Sequence, residues 1–84
     1  MKYYVYILIL SNGQYYTGST CNIERRIAEH NSGKTVSIRH KLPAILTFKQ
    51  EFISLKEARS AENYIKKQKS RIFIEKIISE GFVK

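Results

Sequence analysis

Apolar residues run without a break from position 3 to position 10 (YYVYILIL), which reads as a strand buried on both faces and therefore central in its sheet. Ser11, Asn12 and Gly13 follow as a turn signal, and residues 14–19 (QYYTGS) read as the returning strand of a hairpin. Asn22 is placed to cap a helix over about 23–32 that Gly33 closes. Residues 44–52 (AILTFKQEF) form a third strand. Ser54 and Glu57 make an S-x-x-E capping box opening a second helix that runs to about Lys67. Ser70 can cap a third helix, with Phe73, Ile74, Ile77 and Ile78 as its apolar stripe and Gly81 as its stop. The order is ββαβαα. It predicts an α/β (α+β) fold with a small three-stranded, mainly antiparallel sheet flanked by three helices. With no repeat, low-complexity tract or linker, residues 1–84 are expected to form one domain.

Two helices break the polar–apolar pattern in the same way. The inner stripe of the first is set by Ile23 and Ile27, and helical spacing continues it through Arg26 and His30, leaving Glu24, Arg25 and Glu29 free to face solvent. On the second, Leu55, Ala58 and Ile65 mark a face, and Glu62 falls on it. A charge on an apolar face is costly unless it is paired or bound to a metal. Two readings stay open at this point. The helices share a polar site, or Arg26 and Glu62 form a half-buried salt bridge or snorkel out. Six tyrosines are a further anomaly. Tyr3, Tyr4 and Tyr15 read as packing residues with a wet hydroxyl.

Charge narrows the choice of partner. Fifteen Lys and Arg stand against seven Glu and no Asp, a net +8, which favours an anionic partner: nucleic acid first, an anionic membrane surface second. The basic loop over residues 34–43 and the run Lys66, Lys67, Lys69, Arg71 would track phosphates, or form ordinary solvated faces. A single cysteine, Cys21, excludes an intramolecular disulfide and a cysteine metal cage, and suits a reducing cytoplasm. No apolar stretch approaches the roughly 20 residues that span a bilayer. The N-terminus lacks a signal peptide's cleavage site, so a cytoplasmic location is expected. Ser32-Gly33-Lys34-Thr35 lacks the upstream glycine of a P-loop, because position 28 is Ala28. His30 and His40 have no partners at zinc spacing.

Taken in order, several short pieces resemble the GIY-YIG nuclease superfamily. They are Val5-Tyr6-Ile7, then Tyr16-Thr17-Gly18 with Thr where Ile is usual, and then the stretch from Ser19 to Gly33 with its arginine and H-N-x-G end. Glu57-Ala58, Glu62 and Ile65-Lys66 follow, similar to the family's second helix. The resemblance covers nearly the whole chain and looks most like the small stand-alone branch related to the N-terminal incision domain of the bacterial excision-repair nuclease. It implies Tyr6 and Tyr16 as catalytic tyrosines, Arg26 as the phosphate-binding arginine and Glu62 as the metal ligand. His30 matches a site histidine of several branches, and Gly18 a glycine that permits close approach. No counterpart is found for the asparagine some branches carry after the glutamate.

The implied activity is metal-dependent endonucleolytic hydrolysis of phosphodiesters, in DNA with little sequence specificity, using one Mg²⁺ or Mn²⁺. Lys34, Arg39, Lys41, Lys66 and Lys67 would contact the nucleic acid. The alternatives are a non-catalytic nucleic-acid-binding module, a protein–protein adaptor, or a subunit active only in a larger repair or processing complex. Tyr6 is favoured as base and Tyr16 as its orienting partner. His30 would assist proton transfer, bind phosphate, or cap the helix end. A shared site also requires a hairpin register. A two-residue turn would pair Tyr16 with Ile9 and send the two tyrosines to opposite faces. A three-residue turn with Gly13 left-handed pairs Tyr16 with Leu8 and Tyr6 with Gly18, on one face.

Overall fold

A computed structural model describes residues 2–81. Its elements are strand β1 (Tyr3–Ile9), strand β2 (Tyr15–Thr20), helix α1 (Ile23–Asn31), strand β3 (Ile45–Phe52), helix α2 (Leu55–Gln68) and helix α3 (Arg71–Glu80). The sheet order is β2-β1-β3 and both pairings are antiparallel. The continuous apolar run is thus the central strand, as its pattern requires.

Two cores lie on opposite faces of β1, because alternate residues of a strand point to opposite sides. Val5 and Ile7 pack with Phe48, Ala58, Ile65 and Ile77, beneath α2 and α3. Phe73, Ile74 and Ile78 join them, so the stripe expected on α3 is the one buried. Tyr6 and Leu8 face the other way, with Leu10, Ala44, and Ile23 and Ile27 of α1. Ile38, inside the segment expected to be only a basic loop, is also buried there. Leu55, at the first turn of α2, is exposed rather than part of the core face.

The hairpin fixes which residues share a face. Gly13 N–H donates to the Leu10 carbonyl and Leu10 N–H donates to the Gln14 carbonyl, closing a three-residue turn. Gly13 has φ +86°, a left-handed conformation glycine adopts at little cost. Tyr6 therefore pairs with Gly18 and Leu8 with Tyr16. A bulge interrupts β1–β3 pairing between Ile7 and Leu8, and the Thr47 hydroxyl donates to the Ile7 carbonyl there at 2.9 Å.

The three helix starts follow the sequence. Asn22, Ser54 and Ser70 side chains accept from the backbone N–H of Arg25, Glu57 and Phe73. At the last residue of α1, Asn31 grips Ala44 through both its backbone groups, at 2.8 and 3.1 Å. That clamp ties the intervening segment to the face carrying Tyr6.

Candidate functional site

Tyr6 sits at the middle of the arrangement. It is 1% exposed, and its hydroxyl lies 2.8 Å from His30 Nε2. His30 is itself fully buried, and its Nδ1 lies 2.6 Å from Thr35 Oγ1. Both ring nitrogens are thereby engaged, so His30 does not cap the helix end and has no free nitrogen for a phosphate. Tyr16 stands edge-on to the same imidazole, with ring centroids 5.1 Å apart. Residues at i and i+4 of α1 lie on one face, which is why Arg26 and His30 arrive together.

Burial pushes the Tyr6 phenol up to about 12, against the pull of the Arg26 guanidinium beside it; the charges of Tyr16 and Glu62 raise it further. Burial also lowers His30, with the positive charge of Arg26 adding to the effect. A protonated phenol beside a neutral imidazole assigns Tyr6 O–H as donor to Nε2 and Nδ1–H as donor to Thr35. Arg26 is held more firmly protonated, chiefly by Tyr6 and then by Glu29, its ion-pair partner at 3.2 Å.

His30 gives a sign to the pH dependence of stability. Its folded-state pKa lies below the ordinary value of 6.5, so the unfolded chain takes up the proton first. Stability held above about pH 6.5 is lost as pH falls through the folded-state pKa. Denaturant midpoints at pH 7.5 and pH 5 are expected to drop more in the wild type than in His30→Gln. An equal drop in both would remove His30 as the cause.

Glu62 reaches the site from the opposite face of the sheet. Its Oε1 accepts from Ser19 Oγ at 2.6 Å, and its Oε2 accepts from Lys66 Nζ at 2.6 Å. Its side chain is 16% exposed. Ser19 follows Gly18, and a Cβ on Gly18 would come within 2.6 Å of Tyr6 Cζ. The tyrosine ring thus occupies the space the glycine leaves on one face of β2, and the carboxylate meets the next residue, Ser19, on the other face. The Arg26–Glu62 bridge, one of the alternatives the sequence left open, does not form. Each finds a partner on its own helix instead, so Glu29 turns toward Arg26 rather than standing free in solvent.

The remaining basic residues divide. Lys34, Arg39 and Lys67 are exposed, and Lys41 is half-buried. Lys66 and Lys69 line a groove of about 490 Å³ between residues 14–17 and residues 65–74, a position Lys67 does not share. The sequence reading missed Ser19 and Thr35. Strand alternation could have found the first, because with Tyr16 and Gly18 on one face Ser19 must point to the other. Thr35 lies beyond the helix end, where no period operates.

A divalent ion is tested by the donor set. Among the described residues no three His, Cys, Asp or Glu side chains cluster. A single carboxylate suits Mg²⁺ or Mn²⁺ that keeps most of its water and shares the substrate phosphate, and does not suit zinc. Glu62 fits such an ion once Lys66 vacates Oε2.

A three-stranded antiparallel sheet with two inward tyrosines, an arginine and histidine on one helix and a carboxylate on another defines the class. The chain belongs to the GIY-YIG catalytic domain family, whose model matches residues 2–77. It is similar to a UPF0213 protein of Streptococcus pneumoniae serotype 4, 45% identical over 69 residues, covering 81% of this chain and 70% of that one. It is also similar to a UPF0213 protein of Streptococcus pyogenes serotype M5, 39% identical over 71 residues, covering 83% and 77%. Among solved structures, the solution NMR structure of a UPF0213 protein from Bacillus halodurans superposes with a TM-score of 0.59 at 40% identity, covering 94% of this chain and 84% of that one. The family is one of nucleases, which implies a nucleic-acid substrate. No helix among the described residues is long and apolar enough to cross a membrane.

Proposed function

We propose that residues 1–84 act as one endonuclease domain that hydrolyses phosphodiester bonds in DNA, with little sequence preference, using one Mg²⁺ or Mn²⁺ on Glu62. The observation that carries this reading is the buried Tyr6–His30 hydrogen bond beside Arg26, packed on Gly18, with the Glu62 carboxylate held by the adjoining Ser19, a gathering of charges and proton carriers that packing alone does not require.

The divalent ion, when bound, supplies Lewis acidity to the phosphate and to the leaving 3′ oxygen. Arg26 grips a non-bridging phosphate oxygen and neutralises charge that grows during attack. With its phenol near 12, Tyr6 is not a phenolate at neutral pH. It accepts the proton of the attacking water on its oxygen while passing its own proton to His30 Nε2. Thr35 keeps the other ring nitrogen occupied, so that Nε2 is the one available. Tyr16 orients the water or the phosphate. The water oxygen bonds to phosphorus, the P–O3′ bond breaks, and solvent protonates the leaving oxygen. Lys34, Arg39, Lys41, Lys66 and Lys67 contribute sequence-blind backbone contacts. The activity belongs in the cytoplasm, alone or within a larger repair complex.

The test is cleavage of labelled single-stranded, duplex and branched DNA with Mg²⁺, with Mn²⁺ and with EDTA. Cutting that requires the ion and leaves 5′-phosphate ends is expected. Salt-sensitive binding with no cutting of any of the three would replace this reading with a non-catalytic binding module.

A further inference from the structure

Both oxygens of Glu62 are already taken, and one of the two donors is a cation that can leave. Ser19 is held by its strand, whereas Lys66 is one turn further along the helix, with its side chain 53% exposed. Ion pairs of that i,i+4 kind are weak. Lys66 also lines the groove beside β2, together with Tyr16, Lys69 and Ser70. Arg71 on its far wall is committed elsewhere, donating to the Gly13 carbonyl at 2.6 Å, pairing with Glu75 and lying over the Tyr15 ring. Among the described residues no carboxylate lines this groove. Lys69 enters it from a left-handed backbone position, φ +47°, where glycine would cost less. The volume suits a nucleotide-sized segment of one strand, and the lining suits a phosphodiester.

We infer that this groove receives the phosphate neighbouring the one to be cleaved, and that Lys66 transfers from Glu62 to that phosphate, opening Oε2 to the divalent ion. This rests on Glu62 being the metal ligand. Lys66 is then a positioning residue that makes the ion and the nucleic acid bind together. Without nucleic acid, its ammonium competes with the ion for one carboxylate oxygen. With a phosphate in the groove, the ammonium has a second anion to serve. Linkage makes the effect mutual, so each ligand tightens the other by the same factor.

Mn²⁺ binding, followed by electron paramagnetic resonance with and without an eight-residue phosphorothioate oligonucleotide, tests this directly. In the wild type the oligonucleotide is expected to tighten Mn²⁺ by about tenfold. In Lys66→Met, Mn²⁺ is expected to bind the free protein about two- to threefold more tightly, with the coupling reduced by the same factor and the remainder due to the phosphate the ion shares. Lys69→Met should weaken the oligonucleotide while leaving Mn²⁺ binding to the free protein unchanged. Unchanged Mn²⁺ affinity and coupling in Lys66→Met would overturn the transfer, and unchanged oligonucleotide affinity in Lys69→Met would overturn the groove. Glu62→Gln separates the two levels of the argument: if it binds Mn²⁺ as the wild type does, Glu62 is not the ligand and the underlying reading fails.

Discussion

Glu62→Gln is expected to lower the cleavage rate by about 10³-fold or more, equivalent to roughly 4 kcal/mol of barrier, while the protein stays folded. Glutamine has the same shape and keeps a carbonyl oxygen for the Ser19 hydroxyl, so the tie between α2 and β2 survives. What it loses is the negative charge that holds a hydrated divalent ion. The lost pairing with Lys66 has little bearing on stability, because that lysine is half in solvent and exposed pairs contribute about 0–1 kcal/mol. Single-turnover cleavage at saturating Mg²⁺, set beside circular dichroism and a thermal melt, makes the measurement. A variant cutting within tenfold of the wild type would sink the assignment of Glu62.

Gly18→Ala is expected to damage both stability and activity, which distinguishes it from the glutamate change. The added methyl would sit against the Tyr6 hydroxyl and ring, and neither can yield freely, since the ring is buried and its hydroxyl is bound to His30. Overpacking of this kind costs about 1–3 kcal/mol. Shifting Tyr6 by even an ångström would cost about 100-fold in rate. Adding Tyr6→Phe to Gly18→Ala removes the atom nearest the new methyl, so part of the stability should return while activity stays low. Denaturant melts of the two single variants and the double variant form a cycle whose coupling energy reads the contact. Strict additivity would mean that the two residues do not touch in solution.

The hairpin and the first helix were legible because local rules govern them. A turn of three residues ending in glycine sets the register, and the register sets which tyrosines share a face. The 3.6-residue period places Arg26 and His30 beside Ile23 and Ile27. The second helix was legible only in part. Its period marked Glu62 as inward, but no pattern within α2 says that the carboxylate docks on Ser19 of β2. The alternative partner for Arg26 failed for a similar reason, since Glu29 and Lys66 were each nearer on their own helices. Ile38 was hidden by its setting, a lone apolar residue among basic and turn-forming neighbours. What buries it is packing with Tyr6, Leu8, Leu10 and Ala44, the last of which the Asn31 clamp holds.

The bond from Ser19 to Glu62 joins residues 43 apart in sequence, whereas Tyr6 and His30 are 24 apart. Closing the longer loop costs more chain entropy and yields nothing until α2 has docked. A chain that has completed only its hairpin and first helix would therefore hold the tyrosines, the histidine and the arginine, but no seat for the ion. Cutting power would be conferred last, by the same event that buries Ala58 and Ile65. On the proposed function, an unfinished or partly melted copy would be able to grip a polynucleotide without harming it.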